Sequence, residues 1–244
     1  MHFILGLIVV IGTFVISLKY ANEEFSGFYN TYSLILLIGM PIGLAIMSYH
    51  FGMLFSALKG LKRAIFEKPT QQKERLKQSI LDFSRIVRQD KSSEGLQVLE
   101  NSNDLIFKAL GKQVLQQVSA DEIEADALFM GKQDLADFRN GEKVFASLGD
   151  FAPAMGMVGT VIGLIQLLAN LKDFEKLGPG MAIALLTTFY GLLLAHGFYL
   201  PIARMIAETG ALRAEQLNLT IECMAKIANR RPVHEIQQLT DFKS

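Results

Sequence analysis

Tryptophan is absent from this chain, and cysteine occurs once, at Cys223. A single thiol cannot build an internal disulfide framework and fits a reducing compartment for the C-terminal segment. Without tryptophan, an interfacial aromatic belt would fall to Tyr20, Tyr29, Tyr32, Tyr49, Tyr190 and Tyr199. The histidines His2, His50, His196 and His234 are too scattered to assemble a metal site with that lone cysteine. His196 could titrate, yet no neighbouring group marks a proton relay. Excess charge of one sign is also missing: 24 Lys and Arg balance 24 Asp and Glu, which argues against nucleic acid as a partner. No serine or cysteine stands beside a recognisable base. The run Gly156-Met-Val-Gly159-Thr160 has apolar surroundings and no following lysine, which excludes a phosphate loop. Neither an enzyme nor a cofactor is expected.

The most informative absence is local. No Asp, Glu, Lys or Arg occurs between Phe151 and Leu171, or between Gly178 and Ala203. A hydrocarbon core of about 30 Å takes roughly 20 apolar residues of helix. Four segments approach that length: His2–Leu18, closing with a snorkelling Lys19; Tyr32–Leu58; Pro153–Leu171; and Met181–Ile206. The connection Tyr20–Thr31 is short and polar, with Glu23 and Glu24, and Lys172–Gly178 joins the last two spans. A cleaved signal peptide is disfavoured, because the first span has no basic region before it and a second follows closely. Lys59, Lys62, Arg63, Lys68, Lys73, Arg75 and Lys77 crowd one side after the second span, and Arg204, Arg213, Lys226, Arg230 and Arg231 follow the fourth. The positive-inside rule then puts both termini and the central segment in the cytoplasm.

The expected class is an all-α integral membrane protein with four transmembrane helices and a helical cytoplasmic domain. Its parts would be residues 1–58 (two spans), 59–149 (cytoplasmic helices), 150–208 (two spans) and 209–244 (a C-terminal helix and tail). In the central part, about Ser56–Gly149, residues Leu76, Ile80, Leu81, Phe83, Ser84 and Val87 form a stripe at helical spacing. Leu105–Val118 and Ile123–Phe138 repeat that pattern, with Ser119 and Asp121 as cap residues between them and Pro69 opening the first helix. No run alternates like a strand.

The last two spans carry polar groups that a plain anchor does not need. Gly156, Gly159 and Gly163, with Ala154, make a small-residue face that suits close helix packing and implies neighbours. Thr160 lies on the stripe of Gly156 and Gly163, while Thr187 and Thr188 sit midway along the fourth span. Each threonine could simply return its hydroxyl to its own helix. Three at similar depth also suit a wetted wall, since hydroxyls both donate and accept but do not titrate near neutral pH. The hairpin is therefore either an anchor or half of an ion route whose ionisable group a partner supplies. Pro153 would open span three, and Pro201 would bend span four by freeing the Gly197 carbonyl.

Residues 149–164 (GDFAPAMGMVGTVIGL) and 177–192 (LGPGMAIALLTTFYGL) resemble the flagellar motor stator A subunit of the MotA/PomA type, within the MotA/TolQ/ExbB proton channel family. The likeness extends more weakly to the four-span plan and to Arg88-Gln-Asp90 and Gly95-Leu-Gln-Val-Leu-Glu100. The resemblance implies a homopentamer around two B subunits of the MotB/PomB type. Each B subunit would bring an ion-carrying aspartate and a peptidoglycan-binding domain. It also implies H+ or Na+ as the transported ion, FliG of the rotor switch ring as a partner, and the bacterial inner membrane as location. By the same resemblance, the ion path falls on Thr160 and Thr188 with Thr187 adjacent. The functional prolines are Pro153 and Pro201, and the rotor-facing charges are Arg88 and Glu100 with Asp90 and Glu94 as neighbours. Lys91-Ser-Ser-Glu94 looks like a lengthened turn within that charged motif, and Thr160 leans the ion toward sodium. An ExbB/TolQ-like energiser, which has one span before its cytoplasmic segment, and a passive membrane scaffold are the alternatives.

Overall fold

The computed structural model describes residues 2–20, 28–67 and 69–242. Glu23, Glu24 and Lys68 lie outside them. The described residues hold eleven α-helices and one π-helical turn, without a strand: α1 (His2–Tyr20), α2 (Thr31–Ser48), α3 (Phe51–Phe66), α4 (Pro69–Arg88), α5 (Ser92–Asn101), α6 (Leu105–Leu115), α7 (Ala120–Asp134), α8 (Ala136–Ala169), α9 (Phe174–Leu194), the turn Ala195–Tyr199, α10 (Leu200–Ala228) and α11 (Val233–Phe242). They divide into two compact units, one of residues 1–62 with 138–207 and the other of residues 63–137 with 208–244.

Three helical stretches in the described residues are long and apolar enough to cross a membrane: Thr31–Ser48, a part of Ala120–Ala169 and a part of Leu177–Ala228. The first helix contributes a shorter apolar stretch, Ile8–Ser17. The expected second span Tyr32–Leu58 is not one helix. It breaks after Ser48, where Tyr49 is extended (φ −129°, ψ 139°). The break lets the Tyr49 side chain leave the helix: its hydroxyl lies 2.6 Å from the Ser147 hydroxyl, and the Lys143 ammonium stands 5.7 Å from its ring centroid. Eighteen residues remain in α2, about 27 Å at helical rise, close to a hydrocarbon thickness. Past the break, α3 runs antiparallel to α8, with Asn140 donating to Ser56 at 3.0 Å.

Two further boundaries differ from expectation. Pro153 does not open a helix but lies inside the 34-residue α8. The loop joining the last two spans is not Lys172–Gly178, because α9 already starts at Phe174 with Pro179 inside it. Gly180 is buried so closely that a Cβ there would meet the Leu167 nitrogen at 3.1 Å. Contact with α8 holds it helical.

The second unit is a helical domain around Ile80, Phe83, Leu99, Phe107, Leu110, Ile123, Cys223 and Met224. The α4 stripe enters that core as its spacing implies: Ile80 and Phe83 are fully buried and Ser84 nearly so. Two of its helices, α6 and α7, start on side-chain caps. Asp104 Oδ1 accepts from the amides of Ile106 (3.0 Å) and Phe107 (2.9 Å), and Ser119 Oγ accepts from Glu122 (3.3 Å). Asp121, expected as a cap, instead lies in the first turn of α7, where its charge suits the helix dipole. Residues 92–94 do not lengthen a turn; they form the first turn of α5, so only Gln89, Asp90 and Lys91 separate it from α4.

Candidate functional site

The α8–α9 pair is a double zipper of small residues. Ala152, Gly156, Gly159 and Gly163 on α8 are all buried, as are Gly180, Ala184, Thr187 and Gly191 on α9. Both series step by four, three and four residues, so each stays on one face of its helix. They meet in antiparallel order. A methyl added to Gly163 would stand 2.7 Å from both the Ala184 nitrogen and the Gly180 carbonyl oxygen. One on Gly159 would meet Thr187 Cβ at 2.5 Å, and one on Gly191 would meet the Ala152 carbonyl at 2.9 Å. Backbone therefore lies on backbone, an approach that only small residues permit. Sequence reading found the α8 glycines but missed their counterparts; the matching spacing of Gly180, Ala184, Thr187 and Gly191 was the available signal.

The three threonines divide by environment. Thr187 is fully buried in the zipper and donates to the Ile183 carbonyl at 2.8 Å and to that of Ala184 at 3.1 Å. Its hydroxyl is satisfied within its own helix, as an isolated membrane threonine's would be. Thr188, one residue on and about 100° around the helix, is exposed. Thr160 is half-buried and donates to the Met157 carbonyl at 2.6 Å. Gly156 abuts the backbone of both α9 threonines, since a Cβ there would lie 3.0 Å from the Thr187 carbonyl oxygen and 3.4 Å from Thr188 Cα.

Pro153 packs at the end of the same zipper, its Cα 3.4 Å from where a Cβ on Gly191 would be. Pro201 follows the π-helical turn, in which the Leu200 amide reaches back five residues to the Ala195 carbonyl. Proline at 201 has no amide to offer the Gly197 carbonyl, and the wider turn accommodates that loss without ending the helix. His196, in that turn, is exposed. Tyr190 donates to the Phe28 carbonyl, and Phe189 stacks on Phe14 at 5.5 Å between centroids, tying α9 to α1.

The charges expected to face a rotor belong to the second unit. Arg88 ends α4, Asp90 occupies the following turn, Glu94 is in the first turn of α5 and Glu100 in its last; all four are exposed. Asp90 accepts from Arg230 at 3.0 Å, and Glu94 pairs with Lys91 at 3.0 Å. Arg88, Asp90 and Glu94 thus bracket the α4–α5 connection, with Glu100 at the far end of α5.

A second charged cluster was not foreseen. Arg213 is 9% exposed and donates to Asp104 Oδ2 and, at 2.8 Å, to Asp134 Oδ2. Arg63 donates to Asp134 as well, at 3.1 Å to Oδ1 and 2.8 Å to the carbonyl. Burial opposes the charge on Arg213, but hydrogen bonds and charge attraction from Asp104 and Asp134 outweigh it and raise its pKa above the ordinary value. Asp104 caps α6 with one oxygen and holds Arg213 with the other. Sequence distances of 109 and 79 residues hid this network.

Comparison with known proteins places the chain. Motility protein A from Aquifex aeolicus is 28% identical over 241 residues, 96% of this chain and 92% of that protein. Chemotaxis protein PomA from Vibrio alginolyticus is 33% identical over 211 residues, 84% of this chain and 79% of that protein. Among solved structures, that of C. jejuni MotAB superposes with a TM-score of 0.87 over 99% of this chain and 94% of that one, at 18% identity, which establishes a shared fold. The model of the MotA/TolQ/ExbB proton channel family matches residues 97–218, half of the chain. With a relative one-third identical over most of its length, this all-α membrane protein belongs to the MotA/TolQ/ExbB proton channel family.

Proposed function

We propose that the chain is the A subunit of a flagellar motor stator, converting ion flow into rotation. The similarity to Motility protein A and PomA over most of both chains supports this reading. The observation that carries the mechanism is the exposed Thr188 in a helix pair whose apolar segments, residues 151–171 and 178–203, contain no carboxylate. A route for cations needs such a group, so the acid comes from a second polypeptide, a B subunit of the MotB type. A similar solved structure is that of C. jejuni MotAB, which fits that partner.

In this mechanism Thr160 and Thr188 line the path, and Thr187 locks α8 to α9. Thr160 donates its hydroxyl hydrogen bond to the Met157 carbonyl, which leaves its oxygen free to accept from water or meet a cation. Two hydroxyl oxygens suit a hard cation, and sodium is the coupling ion this reading favours. Pro153 and Pro201 both lie toward the Ala152–Gly191 end of the zipper and are the joints at which the pair tilts. One charge crossing the membrane releases about 2.3 kcal/mol per 100 mV. Such a quantity moves a ring only between nearly equal states, which five copies around two B subunits supply by symmetry. The exposed charges Arg88, Asp90, Glu94 and Glu100 then meet FliG on the rotor. This reading has α1 as a fourth span, the inner membrane as location and both termini in the cytoplasm. Residues 1–58 and 150–208 are its membrane parts, and 59–149 and 209–244 its cytoplasmic parts.

The test is ion flux through the A–B complex reconstituted in vesicles, together with motility of a strain lacking this chain. Coupled flux that requires the B subunit's aspartate, and lost motility, are expected. Full flux from the A subunit alone would end the reading. Swimming speed that ignores external sodium at fixed membrane potential would assign the path to protons.

A further inference from the structure

Three residues other than glycine have left-handed backbone among the described residues: Asp90 (φ 55°), Gln117 (φ 62°) and Arg230 (φ 52°). All three line a single cavity of about 360 Å³ in the second unit. Each stops a helix in the same way, with the next amide reaching back five residues. Lys91 donates to the Ile86 carbonyl at 3.3 Å, Val118 to that of Gln113 at 3.1 Å and Arg231 to that of Lys226 at 3.0 Å. This wrapped helix end ordinarily takes glycine at the left-handed position, and neither glutamine nor arginine is suited to it. What the three stops share is the cavity. Around it the C-terminal ends of α4, α6 and α10 converge, each carrying partial negative charge on its last carbonyls, and Asp90 adds a full charge.

Two cations also border this cavity. Lys91 is drawn aside to Glu94, at 3.0 Å. Arg230 donates through Nη2 to Asp90 Oδ1 at 3.0 Å, and both side chains are more than half exposed, at 63% and 70%. An ion pair so open to water is weak and readily exchanged. A carboxylate backed by helix C-termini suits a guanidinium, whose paired donors match it.

We propose that this cavity receives one basic side chain, arginine by preference, from a protein partner. Arg230 is the chain's own occupant, which the partner displaces. The proposal rests on the stator reading, which turns Asp90 toward the rotor, and it adds Arg230 as a built-in competitor for that contact.

Binding of the purified A–B complex in nanodiscs to the purified switch-ring protein tests it. Arg230→Gly removes the side chain while suiting the left-handed backbone, and Arg230→Gln vacates Asp90 but keeps a polar chain. Both should bind about threefold tighter than wild type, the gain expected from losing a weak internal competitor. Asp90→Asn should weaken binding, and adding Arg230→Gly to it should restore nothing. Unchanged or weaker binding by both Arg230 variants, with melting temperatures kept, would overturn the competitor role and leave the stator reading standing. No binding by the wild-type complex would instead overturn the stator reading and this proposal with it.

Discussion

A Cβ built on Gly159 would stand 2.5 Å from the Cβ of Thr187. The two helices that carry these residues therefore touch with nothing to spare, and the contact makes Thr187 a structural group rather than a free hydroxyl. Thr188, its neighbour in sequence, meets that seam only through its backbone, and the residue is exposed. Adjacent threonines thus have opposite surroundings, because successive side chains on a helix diverge by about 100°.

That divergence predicts opposite phenotypes. Thr187→Val keeps the shape that fills the space beside Gly159 and loses only a bond within its own helix. Ion flux in reconstituted vesicles should stay within about twofold of wild type, since such bonds contribute little net free energy. Thr188→Val removes an exposed hydroxyl and should cut flux by about tenfold or more, the effect of about 1.4 kcal/mol on the barrier. Equal losses in the two variants would contradict the division between seam and path.

Gly163 should be the least replaceable glycine of the zipper. An added methyl would meet main-chain atoms of α9 at 2.7 Å, and main chain cannot rotate away. Gly163→Ala should destabilise the complex by about 3 kcal/mol, the upper range for overpacking a tight contact. Gly178→Ala is the control, because nothing lies within 4 Å of its added Cβ. Thermal aggregation of the detergent-purified complex reads both: a marked drop for the first and none for the second.

Arg213 is the ionic centre of the second unit. Arg213→Met leaves Asp104 and Asp134, whose side chains are 13% and 23% exposed, without their shared cation. Breaking a buried pair of this kind costs about 3–5 kcal/mol, mostly from the charge left behind. Arg213→Lys should recover only part of this, since one ammonium cannot reproduce a fork spanning two carboxylates. Melting of the two variants compared with wild type checks the order. Raising the pKa of Arg213 keeps its charge through the whole physiological range, so deprotonation of the arginine should not weaken the cluster there.

Gln117 offers a gain. Its φ of 62° costs a residue with a side chain about 1 kcal/mol that glycine does not pay. Gln117→Gly should raise the melting temperature of the protein, while Gln117→Val should lower it. A melting temperature lowered by glycine would mean that the glutamine side chain contributes more than its backbone costs.

Much of this architecture was legible in the chain because its signals are local. The charge-free stretches after Phe151 and Gly178 mark membrane helices through desolvation alone. The stripe from Leu76 to Val87 sets the buried face of α4 by helical period, and Ser119 caps α7 with its own hydroxyl. The glycines at 156, 159 and 163 identify a close-packing face without any partner in view. What a single chain pattern does not hold is which residues another segment brings alongside. Tyr49 ends a helix inside an uncharged run because Ser147, 98 residues on, and Lys143 stand where its side chain can reach them. Gly180 stays helical beside a proline because α8 presses on it. Thr187 and Thr188 are the same residue type, side by side and equally apolar in context; only the placement of Gly156 and Gly159 separates a locked hydroxyl from an open one. Composition and period are properties of the chain itself, whereas a contact depends on two surfaces meeting, and that was decided by the tertiary fold.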